Sequence, residues 1–124
     1  MNQNQIFDYI EDIGVLNRLA IIVRAKQLFL TWLNTIQSED PLEFKDVNEP
    51  NIYLINSKDN GKEASLNKWL KKNYKKIFYN QLFSWHTELA DYPQNVDFKM
   101  FNEWFDYEFS DSVIEIGKSD FEIY

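Results

Sequence analysis

The chain has 124 residues, a formal net charge of −7, 44% hydrophobic and 17% aromatic residues, and no cysteine. That length suits one domain able to bury a core, and the missing thiols exclude disulfides, cysteine nucleophiles and thiolate metal sites. The acid excess opposes nonspecific binding to nucleic acid or to anionic membranes, because both require a cationic surface.

The opening residues, MNQNQIFDYIEDIG, hold no basic stretch and no long apolar run, so no signal peptide is expected there. Ile6, Phe7, Ile10 and Ile13 fall at helical spacing. They predict an amphipathic helix over 4–13 that ends near Gly14, in a loosely attached segment 1–15. The aliphatic run Leu19–Val23 is far short of the ~20 residues of a membrane span. It reads as a strand buried on both faces, bracketed by Arg18 and Arg24. From Lys26 to Ile36 the period becomes helical, with Phe29, Trp32, Leu33 and Ile36 on one face.

Residues 37–50 are acidic and punctuated by Pro41 and Pro50. They predict a loop with one helical turn at Pro41 to Lys45, capped by Asp40. Ile52 to Ile55 reads as a second short strand, and two strands joined through a helix predict a right-handed parallel unit. A turn follows at Ser57 to Gly61. Leu66, Trp69, Leu70, Tyr74, Ile77 and Leu82 then share one helical face, opposite Lys68, Lys71, Lys72, Lys75 and Lys76. Asp97 is placed to cap a helix whose Phe98, Phe101, Trp104 and Phe105 face inward. Tyr107 to Ile116 reads as the last strand, with its alternation lost around Ser110 to Ser112, where a bulge or break is expected. Residues 117–124 form a polar tail.

These elements, in the order β-α-β-α-(α)-α-β, predict a single α/β domain, with α+β as the open alternative: one small sheet of about three strands and helices packed on it. Three stretches, LNRLAIIVRAKQLFLTWLN (Leu16 to Asn34), YLI (Tyr53 to Ile55) and FNEWFDYEFSDSVIEI (Phe101 to Ile116), resemble a group of small uncharacterised bacterial α/β proteins. In that group a strand ending in Arg leads into a helix bearing a Trp, and Trp-Phe-Asp closes a late helix. The group's Arg-Pro-Lys junction is Arg24-Ala25-Lys26 here, without the proline. The resemblance implies a fold and no activity.

No catalytic signature emerges. Gly14, Gly61 and Gly117 are the only glycines and His86 the only histidine, which removes phosphate-cradling loops, serine-hydrolase elbows and paired-imidazole zinc sites. His86 reads as a structural histidine near a helix end, with general base as the competing role. Glu103, Asp106 and Glu108 could act as an acid/base pair or hold a divalent cation, against the simpler reading of a solvated acidic face. Arg24 and Lys26, at a strand-to-helix junction, are candidate anion-binding residues.

Charge is also segregated. Between Lys58 and Asn80 seven lysines oppose Asp59 and Glu63; from Gln81 onward ten acids oppose Lys99 and Lys118. The leading expectation is a cytoplasmic, non-enzymatic interaction domain without metal or cofactor, of inhibitor or immunity type, which meets a basic protein partner. Its expected surface is acidic and aromatic: Glu103, Trp104, Asp106, Tyr107, Glu108, Asp111 and Glu115. The alternatives are a small carboxylate-metal or anion-binding enzyme, and a subunit that forms a homo-oligomer through its oppositely charged parts.

Overall fold

In the computed structural model, which describes residues 1–16, 18–37, 39–56 and 63–117, the apolar run after Arg18 forms β2 (Leu19–Ala25), the middle of a three-stranded sheet. Its partners are β3 (Asn51–Ile55) on one side and β4 (Phe105–Ser110) on the other. Both pairings are antiparallel, so the expected parallel unit is not formed. The register explains why. Val23 lies opposite Asn51, so the connection must bring the chain back to the end of β2 that it left. The helix α2 (Gln27–Ile36) carries the chain away by about 15 Å, and the residues after it carry it back. Asn34 anchors that return: its amide donates to the Leu42 carbonyl at 3.0 Å and its Oδ1 accepts from the Leu42 amide at 2.9 Å. The short helix α3 (Phe44–Val47) starts later than expected, with Glu43 rather than Asp40 closing its first turn.

The core lies on one face of this sheet. Leu19, Ile21, Val23 and Ala25 are buried with Phe105, and Tyr107 and Phe109 pack beside them. The opposite face is open, contrary to the expectation of burial on both sides. Alternation along the strand puts Ala20, Ile22 and Arg24 on the side away from the core; Ala20 is buried beside its neighbouring strands, Ile22 is half-buried and Arg24 exposed. Helices cover the inner face alone: Phe29, Leu30 and Leu33 of α2, and Leu66, Leu70, Ile77, Phe78 and Leu82 of α4 (Glu63–Phe83). From α5 (Phe98–Trp104) come Phe101 and Trp104. The lysines of α4 named above are exposed, on the side its apolar pattern assigned to them. Asp97 caps α5, its side chain accepting from the Met100 amide at 2.8 Å. The expected turn at 57–61 and most of the polar tail lie outside the described residues.

Two elements extend the molecule beyond the core. The helix α1 (Gln3–Ile10) is closed by a reciprocal cap between Asn2 and Gln5 and buries none of its residues. After a two-residue turn, β1 (Ile13–Leu16) pairs antiparallel with β5 (Val113–Ile116). This ribbon prolongs the β2–β4 pairing with a one-residue step. Three residues separate Leu16 from Ala20, whereas two separate their partners Val113 and Ser110. The odd residue shifts the register as a bulge does. The break anticipated at 110–112 is present, and the Ser110 hydroxyl bonds to both the amide and the carbonyl of Ser112. Alternation survives it: Asp106, Glu108, Ile114 and Ile116 are all exposed.

Candidate functional site

Most of the charged residues singled out from the sequence meet on the open face and its rim, but cations and anions sit together. Arg24 lies directly across from Asp106 in the strand pair, and its Nη1 approaches Glu108 Oε1 at 3.3 Å. Lys26 Nζ is 3.8 Å from Asp106 Oδ1 and donates to the Asn102 carbonyl at 2.8 Å. The Lys26 amide also donates to the Trp104 carbonyl at 2.8 Å. Lys26 therefore closes the C-terminal end of α5, where carbonyls lack helical partners and a cation is favourable. Glu103 forms a helical pair with Lys99 at 3.9 Å. Glu115 is half-buried and Asp111 exposed at the strand break. The expected acidic cluster and the expected anion site are thus one mixed-charge row. Each pair is exposed enough that it adds little stability.

The two aromatic residues expected beside those acids point elsewhere. Trp104 is 9% exposed and packs against Phe29, Trp32 and Phe78. Tyr107 stacks on Phe101, and burial raises its hydroxyl above the usual tyrosine pKa. Odd positions of β4 face the core, so Tyr107 could not share a face with Asp106 and Glu108. Trp104 ends α5 at the turn into β4, where its ring completes the core. Neither ring is an exposed anchor.

Exposed apolar side chains stand on the outer face of β3 and on the separate β1–β5 ribbon. Ile13, Val15, Ile52, Leu54, Ile114 and Ile116 are each between 42% and 81% exposed. The register puts Ile13 opposite Ile116 and Val15 opposite Ile114, and Ile52 and Leu54 beside Ile22 and Ala20 of β2. Scattered surface hydrophobics need no explanation, but cross-strand groups of them mark a contact surface. Sequence reasoning missed it by assigning β2 to full burial. The signal was present in Ile114-Glu115-Ile116, which alternates apolar and polar after α5, the last helix among the described residues.

A second feature, also missed, lies at the end of α4. Tyr79, Asn80, Phe83, Leu89, Tyr92 and Pro93 line an open groove of about 540 Å³. The rings of Tyr79 and Tyr92 are stacked, 6.0 Å apart with 16° between their planes, and the Tyr79 hydroxyl donates to the Pro93 carbonyl at 3.2 Å. Phe83 and Leu89 are 54% and 62% exposed at its edge. Behind it, buried Gln81 donates to Asn51 Oδ1 at 3.1 Å and to the Tyr53 hydroxyl at 2.7 Å, and that hydroxyl donates to Asn80 Oδ1 at 2.6 Å. Loss of solvent raises the Tyr53 pKa, and the Gln81 bond lowers it by less. This network joins α4 to β3.

His86 belongs to the same region and is fully engaged. Gln37 Nε2 lies 3.4 Å from its Nδ1, and Asp91 Oδ2 lies 2.7 Å from its Nε2. The Gln37 amide nitrogen can only donate, so Nδ1 accepts from it and Nε2 carries a hydrogen toward Asp91. The Tyr92 hydroxyl donates to the His86 carbonyl, and Trp32 Nε1 to the Asp91 carbonyl at 3.3 Å. The ring therefore ties the loop after α4 to α2, the structural role weighed for it from sequence. Both ring nitrogens are thus engaged within the fold. Among the described residues no three acids or histidines converge as a metal site requires, and no helix is long and apolar enough to cross a membrane.

Comparison with protein-family models, with curated proteins and with solved structures found no match for the chain. The resemblance drawn above rests on its quoted residues alone.

Proposed function

We propose that this chain is a protein-binding domain without catalytic chemistry of its own, and that it contacts its partner through the open face of the sheet. The observation that carries the reading is the set of uncovered apolar strand residues: Ile52 and Leu54 on the sheet face away from the core helices, and Ile13, Val15, Ile114 and Ile116 on the neighbouring ribbon. The mixed-charge row forms its rim. Asp106, Glu108 and Asp111 outnumber Arg24 and Lys26 there, so the rim favours a partner whose apolar patch is bordered by basic residues. An inhibitor covering the working surface of a basic protein is the form of this reading that fits the charge. Glu103 and Glu115 contribute to the negative field, while Trp104 and Tyr107 support the sheet from beneath.

The test uses the intact chain and the double variant Ile52→Lys/Ile114→Lys as baits in lysate of the source cell. Any protein retained only by the wild type is then purified and titrated by calorimetry. The expected result is one-to-one binding that the double variant weakens at least about tenfold, as for loss of central contacts. Reversal of Asp106, Glu108 and Asp111 to lysine should weaken it further at low salt than at high salt. Equal retention of the same proteins by wild type and the Ile52→Lys/Ile114→Lys variant would overturn the proposal.

A further inference from the structure

The turn after α4 and the entrance to β3 border a second cavity, of about 210 Å³, lined by Val47, Glu49, Asn51, Ser84 and Trp85. It is smaller than the pockets of about 300–1,000 Å³ that hold drug-sized ligands, so it suits one side chain or a small organic ion. The segments that line it are held in place. The Ser84 amide donates to the Asn80 carbonyl and the Trp85 amide to the Leu82 carbonyl, each at 3.1 Å. The Trp85 carbonyl accepts from Gln37 Nε2 at 3.1 Å. Asn51 opens β3, and its Oδ1 accepts from buried Gln81 at 3.1 Å. Val47, at the end of α3, is buried.

The electrostatics of this place favour a cation. Glu49 is the one charged residue in the lining, and among the described residues its carboxylate has no hydrogen-bond or ion-pair partner. It ends the stretch 39–49, where Glu39, Asp40, Glu43, Asp46 and Glu49 oppose Lys45 alone. All six are exposed, and Lys45 is already paired with Glu43 at 3.2 Å. Ser84 and Trp85 directly follow the 21-residue α4, and a helix C-terminus carries partial negative charge. The Ser84 hydroxyl donates to the Gln81 carbonyl at 2.8 Å, which leaves its oxygen able only to accept. Trp85 is 36% exposed, and an accessible indole face attracts cations.

A carboxylate, an indole and an accepting hydroxyl around a space of this size suit a guanidinium. That group is planar, always charged and weakly hydrated, so it stacks on an aromatic ring while its N–H donors reach a carboxylate. An ammonium is more strongly hydrated and loses more on leaving water. We propose that this cavity binds an alkylguanidinium ion, with Glu49 as its counter-charge and Trp85 as its stacking surface. A free small molecule and an arginine side chain of another protein both offer that chemistry. Asn51 turns toward Gln81, whereas the next residue, Ile52, stands on the outer face. The cavity therefore lies apart from the open face and stands independently of the function proposed for it.

The test titrates the full chain with propylguanidinium and follows two resonances, the Trp85 indole N–H and the Ser84 backbone N–H. Both should move, with a dissociation constant on the order of millimolar, the scale for so few ligand atoms. Propylurea, nearly the same shape without the charge, should move neither at the same concentrations. Butylammonium should bind more weakly than propylguanidinium. Glu49→Gln should weaken binding about threefold or more, the worth of a partly exposed ion pair. Trp85→Leu, read at Ser84, should weaken it by about threefold, the worth of an exposed cation–π contact. Both side chains are exposed, so both variants should keep the wild-type thermal midpoint. Ile52→Lys, on the sheet face, should leave the affinity unchanged. A blocked Gly-Arg-Gly peptide separates the sources: tighter binding than propylguanidinium assigns the cavity to a protein side chain, and weaker binding to a free small molecule. No movement of either resonance, equal binding of propylurea, or an affinity unchanged in Glu49→Gln would each overturn the proposal.

Discussion

The same two chain segments build two very different structures at their two ends. Between β2 and β4 the antiparallel pairing presents Ile21, Val23 and Phe105 to the helices, and all three are essentially inaccessible. Past the one-residue step, β1 and β5 continue the pairing and expose Val15 at 74% and Ile116 at 81%. Backbone hydrogen bonding and β-branched composition are alike in both halves. The difference is that α2, α4 and α5 pack over one half and nothing described covers the other. Strand formation follows from local sequence, whereas burial follows from what the rest of the chain can bring to a given face.

The sharpest way to break this contrast is to truncate a side chain in each half. Phe29→Ala, at the centre of the buried ring cluster, should cost about 3–5 kcal/mol of unfolding free energy. Val15→Ala in the ribbon should stay within about 0.5 kcal/mol. Urea unfolding of both variants is the measurement, and similar costs would mean that the ribbon is packed as tightly as the core.

A smaller effect should come from the polar seam behind the groove. Gln81→Leu removes donors from Asn51 Oδ1 and the Tyr53 hydroxyl, and should cost about 1–3 kcal/mol because partners are left unsatisfied. A thermal midpoint equal to the wild type would show that solvent replaces both bonds and that α4 is not held to β3 there.

The smallest effect is seen at alkaline pH and belongs to the core half alone. Burial raises the hydroxyl pKa of Tyr53, Tyr92 and Tyr107. The folded chain then keeps protons that the unfolded chain releases near pH 10, so stability is full below that pH and falls as pH rises through the folded values. Urea midpoints between about pH 8 and 11 should show the fall. Tyr92→Phe should flatten it, and an unchanged slope in Tyr92→Phe would remove Tyr92 from the cause.

The comparison also explains what could be read in advance. The helix around Phe29 and Leu33, the lysine-faced α4, the Asp97 cap and the break near Ser110 were all legible, because each depends on spacing over a few residues. The direction of β3 was not. It depends on how far residues 37–50 carry the chain back, and the Asn34–Leu42 bonds that anchor that return join positions whose pairing no periodicity marks. The site residues were misassembled for the same reason. The leading sequence reading puts Arg24 in an anion site and Asp106 in an acidic surface, and joins them only in the enzyme alternative, because no spacing marks the β2–β4 register that sets them opposite each other. Trp104 and Tyr107 were grouped with the acids by proximity in sequence, although one ends a helix and the other faces inward. The groove lining comes from the end of α4 and the loop after it, where helical periodicity stops.

The placement of β2 has a consequence in time. Its pairing with β3 can form once residue 55 exists, since Leu19 meets Ile55. Its other edge must wait for β4, where Ala20 meets Ser110. On a chain emerging from the ribosome, the middle strand of the finished sheet therefore spends most of its synthesis as an edge, bearing Ile21 and Val23. Pairings so distant in sequence close slowly, and unpaired apolar edges are where nascent chains stick to one another. The order in which the strands are made, and not only the fold they reach, exposes this molecule to aggregation until its last third has been made.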